Sequence, residues 1–390
     1  MRIQEARAVY GIQRADQFPT VGANAGGSRG LTPGNLNQTG QPLHSSQYQV
    51  GVGINTWELD FWGRVASLRE AALENYLATA EAGRAASLSL IAQVADAYAG
   101  LCESNQRLAL AKATIDTRAE SFRIFSRRVE VGSTSKFDLT QVEALLTQAR
   151  NLGAQLEQTR AAQAHAMTQL LGAAPAVDLE TLRCTDTLAL QALQPGLPSE
   201  LLNTRPDIIA AEHRLKAANA NIGAARAAFF PRITLTGFLG SASNQLDGLF
   251  EAGSRAWSFS PQLSLPIFDA GRNINNLDLA SVRKEIAVAD YERTVQTAFR
   301  EVSDALTAHQ WLTQQLHLAE SARTTQAERA RLAKLRYDNG STAYLDVLDA
   351  QRELLSAEQL TVQTRRALLS SRISLYAALG GGMLTPAGTP

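Results

Sequence analysis

The chain repeats itself, and that restricts its fold more than any other feature. The stretch "RRVEVGSTSKFDLTQVEALL", beginning at Arg127, aligns with "LRYDNGSTAYLDVLDAQRELL", Leu335 to Leu355, at a constant offset of 208 residues. At the same offset Gly63-Arg64 falls on Gly271-Arg272, "IAQVADAY" from Ile91 on "FREVSDAL" from Phe299, and Leu171-Gly172 on Leu379-Gly380. Upstream of a hairpin loop the offset becomes 212, pairing Gly11 with Gly223 and Phe18-Pro19 with Phe230-Pro231. A period of about 200 residues is too long for a solenoid, so the chain holds two copies of one large unit.

Both copies read in the same order. A helix ends at Phe-Pro, because proline disfavours helix in the residue before it. An alternating stretch follows. In "PRITLTGFLG", Ile233, Leu235 and Leu239 share one face while Arg232, Thr234 and Thr236 take the other. After a Gly/Ser/Asn-rich loop, Trp257, Phe259, Leu263 and Leu265 alternate with Ser258, Ser260, Gln262 and Ser264, as Tyr48, Val50, Val52 and Ile54 alternate with polar or small residues in the first copy. Each copy therefore predicts one β-hairpin. A proline-free run rich in Ala, Leu, Glu, Gln and Arg comes next, a helix of about 69 residues and roughly 100 Å. It reverses at "VGSTS" or "NGSTA". The return helix carries a seven-residue stripe at Val142, Leu145, Ala149, Leu152, Leu156, Thr159, Gln163, Ala166 and Leu170, a narrow seam that predicts close helix pairing.

The first repeat thus spans 1–172, with a truncated helix, a hairpin over about 18–60, a long helix over about 63–131 and a return helix over about 135–172. A connector with Pro175, Pro195 and Pro198 occupies 173–198. The second repeat spans 199–380, with a helix, a hairpin over about 231–268, a long helix over about 271–339 and a return helix over about 342–379, before a tail at 381–390. About 31 helical residues precede Pro231 but only 18 residues precede Pro19, so the first copy reads as N-terminally truncated. Its opening, "MRIQEARAVYGIQRADQF", is an amphipathic helix with no basic start, apolar stretch or small-residue cleavage site, so the chain as written carries no export signal.

Composition narrows the function. Charge is balanced at 37 basic and 37 acidic residues, which gives no general attraction to nucleic acid. No uninterrupted apolar run reaches the roughly 18 residues of a spanning helix, so any spanning element has to be a strand. Four amphipathic strands cannot close a barrel that hides every edge, and open edges are not tolerated in lipid, so several chains must contribute. Three chains would supply about twelve strands. Cys102 and Cys184 lack CxxC spacing and read as two isolated buried thiols, with a bridge between them as the alternative. His44, His165, His213, His309 and His317 are scattered without HxxxH spacing and imply no metal site. The glycine clusters fit neither a phosphate-binding loop nor a nucleophile turn, so no enzyme is implied.

The strings "LLNTRPDIIAAEHRLKAANANIGAARAAFFPRITLTG", "LPIFDAGR", "YERTVQTAFREVSDAL", "YLDVLDAQRELLSAEQ" and "LYAALGGG" resemble the TolC-type outer-membrane factors, most of all the OprM-like, NodT-type lipoprotein branch associated with multidrug efflux. The resemblance runs from Met1 to about Gly382. It implies a mainly α protein with β, in which long helical hairpins and two β-hairpins trimerise into a 12-stranded β-barrel continued by an α-helical tunnel. The implied function is the passive outer-membrane duct of a tripartite multidrug efflux system, in the outer membrane and periplasm. Its partners would be a periplasmic adaptor, an inner-membrane RND-type pump, outer-membrane lipid and two further copies of the chain. No cofactor is implied beyond the family's lipid anchor, whose cysteine has no counterpart here. The alternatives are a type I secretion duct and a soluble coiled-coil scaffold.

By the same resemblance, the reversal turns at Gly132, Ser133 and Thr134 and at Gly340, Ser341 and Thr342 would be adaptor-docking tips. Asp346 and Asp349 would form carboxylate rings at a periplasmic gate, able to bind a blocking cation. Tyr337 and Asp138 would latch neighbouring hairpins, and Thr342 replaces the family's additional gate arginine. Acids in a first helical turn also simply complement the helix dipole, and Asp349 can pair with Arg352. That plain reading fits Asp138 and Asp346, which match across the repeat, better than Asp349, which matches Gln141.

Overall fold

A computed structural model of the chain describes residues 1–38, 40–173 and 198–381. In order, the elements are α1 (Arg2–Ala15), β1 (Val21–Thr32), β2 (Leu43–Glu58), α2 (Arg64–Glu130), α3 (Lys136–Leu171), α4 (Pro198–Thr204), α5 (Pro206–Ala227), β3 (Arg232–Ser243), β4 (Arg255–Ser264), α6 (Arg272–Asp338) and α7 (Tyr344–Ala378). Most of the connector and the tail, 174–197 and 382–390, lies outside the described residues, as does Thr39. The protein is mainly helical with one small antiparallel sheet.

Two compact units emerge, and they cut across the sequence repeats. One combines Met1–Gly83 with Asp207–Thr294, the other Arg84–Pro206 with Val295–Pro390. The first unit holds the sheet, ordered β1-β2-β3-β4 and antiparallel throughout. The two hairpins join through β2 and β3, where Gly51 lies opposite Gly240. A Cβ at Gly51 would sit 2.4 Å from the Leu239 carbonyl oxygen, and one at Gly240 2.2 Å from that of Val50. Only glycine fits that approach. β1 and β4 each keep one edge without a strand partner among the described residues.

Polar and aromatic contacts fasten the sheet to its helices. The Glu58 carboxylate accepts from Arg64 Nε and Nη2 at 2.8 and 2.7 Å and meets Arg232 Nε at 2.6 Å, tying the end of β2 to the starts of α2 and β3. Asp60 accepts from the Ala66 N–H at 2.7 Å, and Asp269 from the Gly271 and Asn273 N–H groups at 3.0 and 2.9 Å, so both long helices begin with their orphan donors capped. Trp62 stacks on Phe230 at 4.8 Å and donates its indole N–H to the Pro231 carbonyl at 2.8 Å.

Small apolar clusters pack the second unit: Leu201, Val302, Ala305, Leu375 and Ala378 in one, Leu108, Ala111 and Leu156 in another, Phe125, Val142 and Leu348 in a third. The seam on α3 is shifted from the sequence expectation. Leu146, Gly153 and Met167 are buried, Leu145 and Leu152 are half-buried, and Thr159 and Ala166 face outward. Gly153 lets the helix close on α2, since a Cβ there would lie 2.9 Å from Ile115 Cδ1. An 18-residue window of α2 is apolar enough, by length and composition, to cross a membrane, with 22% of it buried in the chain. The sequence criterion of an uninterrupted apolar run passes over it.

Two further expectations are corrected. The single helix of about 31 residues before Pro231 is broken at Arg205, because Pro206 excludes helical geometry from its predecessor. Arg205 is buried there, donating to the Ala378 carbonyl at 3.0 Å and to Glu301 at 2.8 Å. Cys102 is buried and disulfide-bonded, not an isolated thiol. Cys184 lies outside the described residues.

Candidate functional site

The two reversal turns have one backbone design. Gly132 sits at φ 73° and Gly340 at φ 69°, left-handed values that L side chains adopt at a cost of about 1–2 kcal/mol. The Gly132 N–H donates to the Val129 carbonyl at 3.0 Å and the Ser133 N–H to that of Arg128 at 2.8 Å. At the second turn Gly340 donates to Tyr337 and Ser341 to Arg336, both at 2.9 Å. This doubled pattern satisfies the last carbonyls of α2 and α6. The Ser133 and Ser341 hydroxyls reinforce it, donating to the same Arg128 and Arg336 carbonyls at 3.1 and 2.9 Å.

The helices leaving the turns begin differently. Ser135 caps α3, accepting from the Asp138 N–H at 3.1 Å, while the Ser135 and Thr134 hydroxyls donate to Asp138 Oδ2 at 2.7 and 3.1 Å. These bonds, that of Ser135 first, hold the Asp138 carboxyl below its usual value. On α7 the capping position is Ala343, which has no side-chain acceptor. There Thr342 Oγ1 donates to the exposed Asp346 carboxylate. One turn on, half-buried Asp349 accepts from Arg329 of α6 at 2.8 Å and from Arg352 at 2.6 Å. Asp349 is therefore a paired carboxylate.

Tyr337 and Asp138 are not hydrogen-bonded to each other within the chain. The Tyr337 hydroxyl instead accepts from Arg128 Nη1, and the Arg128 guanidinium lies 5.6 Å from the Phe125 ring centre and 5.9 Å from that of Tyr337. Tyr344 completes the cluster, with its ring 4.7 Å from Phe125 and 4.9 Å from Tyr337 and its hydroxyl 2.5 Å from Ser121 Oγ. Sequence reading missed Arg128, Phe125, Ser121, Tyr344 and Arg329. A signal for Arg128 was present: its repeat partner is Arg336, so Tyr337 lies one residue from that register. Both tips also expose an apolar side chain at matched positions, Phe137 and Leu345.

No group of His, Cys, Asp and Glu suited to holding a metal occurs among the described residues. The glycine-serine turns, the paired carboxylate and the four-stranded sheet belong to a duplicated helical-hairpin protein with one small antiparallel sheet. Comparison gives that class its family. The profile described as "Outer membrane efflux protein" matches residues 1–173 and 197–381. The solvent efflux pump outer membrane protein SrpC of Pseudomonas putida is 44% identical over 380 residues, covering 97% of this chain and 81% of that protein. The outer membrane protein OprJ of Pseudomonas aeruginosa is 44% identical over 381 residues, covering 97% and 80%. Among solved structures, the open state of the MtrE outer membrane channel of Neisseria gonorrhoeae superposes with a TM-score of 0.88 at 39% identity, covering 98% of this chain and 84% of that one. The chain belongs to the outer membrane efflux protein family, and it is an efflux channel component of the outer membrane and periplasm.

Proposed function

We propose that three copies of this chain form the passive exit duct of a tripartite efflux system. The sheet carries the reading. β1 and β4 each have an edge with no strand partner among the described residues, and in lipid such edges must be paired. Pairing β1 of one copy with β4 of the next closes a ring, and about twelve strands leave a lumen filled with water. Exposed Phe18, Phe61, Ile267 and Phe268 sit where the sheet meets the helices, suiting the boundary between lipid and periplasm. The relatives' descriptions as solvent and outer-membrane efflux proteins favour small apolar cargo over secreted protein.

The two tips, Gly132-Ser133-Thr134 and Gly340-Ser341-Thr342, dock a periplasmic adaptor, which links the duct to an inner-membrane RND-type pump. Their small residues leave a groove, and exposed Phe137 and Leu345 offer it apolar contacts. The gate lies at the second tip. Asp346, exposed and bonded to Thr342, supplies the ring of charge that favours cations and admits a blocking divalent ion. Asp349 contributes less to that field because two guanidinium groups already meet it. A Tyr337–Asp138 latch between copies would require both side chains to leave their present partners. The test is disulfide trapping between cysteines placed at opposed positions of β1 and β4, such as Ala25→Cys and Ser258→Cys scanned by register. Covalent trimers at one register support the ring, and no trimer at any register rejects it.

A further inference from the structure

Arg118 on α2 is only 3% exposed, yet no carboxylate among the described residues meets it. Its one hydrogen bond among the described residues runs from Nη1 to the Leu145 carbonyl at 2.6 Å. The charged group that acts on it is another cation, Arg352. Burial first, and then that like charge, push Arg118 below the usual guanidinium value. A buried charge without a counter-charge is costly, and proteins normally pair it.

Arg118 lines a cavity of about 290 Å³ with Arg352, Gln148, Asn151, Gln155 and Gln359, and no acidic side chain lines it among the described residues. Gln359 adds a second donor without an acceptor. Its Oε1 accepts from Arg107 Nη2 at 3.3 Å, and because a guanidinium only donates, this contact sets the amide orientation. The amide nitrogen, Nε2, is then buried with no partner among the described residues. Arg352 reaches outward to Asp349 at 2.6 Å and Glu353 at 3.2 Å and is half exposed, so the deficit of negative charge is centred on Arg118.

We propose that this cavity is a binding site for a small oxyanion, phosphate, sulfate or a carboxylate, held by the Arg118 guanidinium and the Gln359 amide with Arg352 at its rim. The lining supplies N–H donors from Arg118 and Gln359 and no carboxylate among the described residues, while Asp349 and Glu353 engage only Arg352 at the rim; planar guanidinium groups grip such anions in this way. Chloride lacks the spread of acceptor oxygens that several donors can share, so oxyanions should be preferred.

The same chemistry could come from a carboxylate of a neighbouring copy, and the experiment separates the two. Titration calorimetry on the detergent-solubilised full chain, with inorganic phosphate as probe and ionic strength fixed with sodium chloride, should give saturable binding near one site per chain, competed by sulfate. Arg118→Gln and Gln359→Leu should each weaken that binding at least tenfold. Gln359→Leu removes no charge, so it reads the site even where Arg118→Gln folds poorly. Three results overturn the proposal: no saturable binding to the wild type, unchanged affinity in both variants, or no phosphate binding combined with loss of trimers in Arg118→Gln. The last would assign the cavity to a neighbour's carboxylate.

Discussion

At Gly132 and Gly340 the chain turns through the same backbone, yet the two departing helices are secured in different ways. At the first tip the departing helix carries its own cap. Ser135 and Asp138 cap α3 between them, and the positions equivalent to Tyr337 and Tyr344 are Val129 and Lys136. The second tip has no cap of its own. Tyr337 and Tyr344 hold it to α2 through Arg128, Phe125 and Ser121, and Asp349 is clamped by arginines on α6 and α7. Duplication supplied one turn twice, and substitution left one departing helix with a side-chain cap of its own and the other held by contacts across helices. An element whose ends depend on contacts with a separate helix can be released by breaking those contacts, which is what a gate requires.

The largest expected effect breaks the cross-helix tie. Tyr344→Ala removes a ring packed on Phe125 and Tyr337, and the comparable loss of a packed aromatic is about 3 kcal/mol. Hydrogen exchange should show opening at the start of α7 rising by that amount, whereas Lys136→Ala at the matched place should change exchange by less than about 0.5 kcal/mol. Equal effects would erase the distinction between the tips. Next in size is the shared backbone. Gly132→Ala and Gly340→Ala should each cost about 1–2 kcal/mol of local stability, by the same assay and to a similar extent. A difference of severalfold would mean the turns are not the same structure.

Capping should be about 1 kcal/mol, and of opposite sign at the two tips. Ser135→Ala should fray the first turn of α3, while Ala343→Ser should protect that of α7, both read as amide protection. The smallest effect is that of pH. Because Asp138 is held below its usual value of 3.8, its contribution is present above that value and is lost as pH falls through the lower, folded one. Protection at the α3 start should therefore decline only in acid, and Ser135→Ala should flatten the dependence. A dependence that survives this substitution would place its origin elsewhere.

Much of this organisation was legible in the sequence. Gly132-Ser133 and Gly340-Ser341 announced the turns because a left-handed residue followed by a hydroxyl is a local requirement, and strand alternation announced the sheet for the same reason. The α4–α5 break was legible too, since Pro206 carries the same rule as Pro231. What could not be read was how helices far apart in sequence are rotated against one another. That rotation decides that Tyr337 meets Arg128 and not Asp138, that Leu146 is buried more deeply than Leu145, and that Arg118 lies inside with no acid among the described residues beside it. Each depends on side-chain contacts across helices, for which a seven-residue stripe is too coarse a guide.

The most direct test of the two-tip account is electrical recording of the reconstituted channel, comparing wild type with Asp346→Asn and Asp138→Asn. Asp346→Asn should weaken cation preference and relieve divalent block, and Asp138→Asn, which alters an acid already engaged in capping, should leave both unchanged. Equal changes in the two variants, or none in Asp346→Asn, would contradict the assignment of the gate to the second tip.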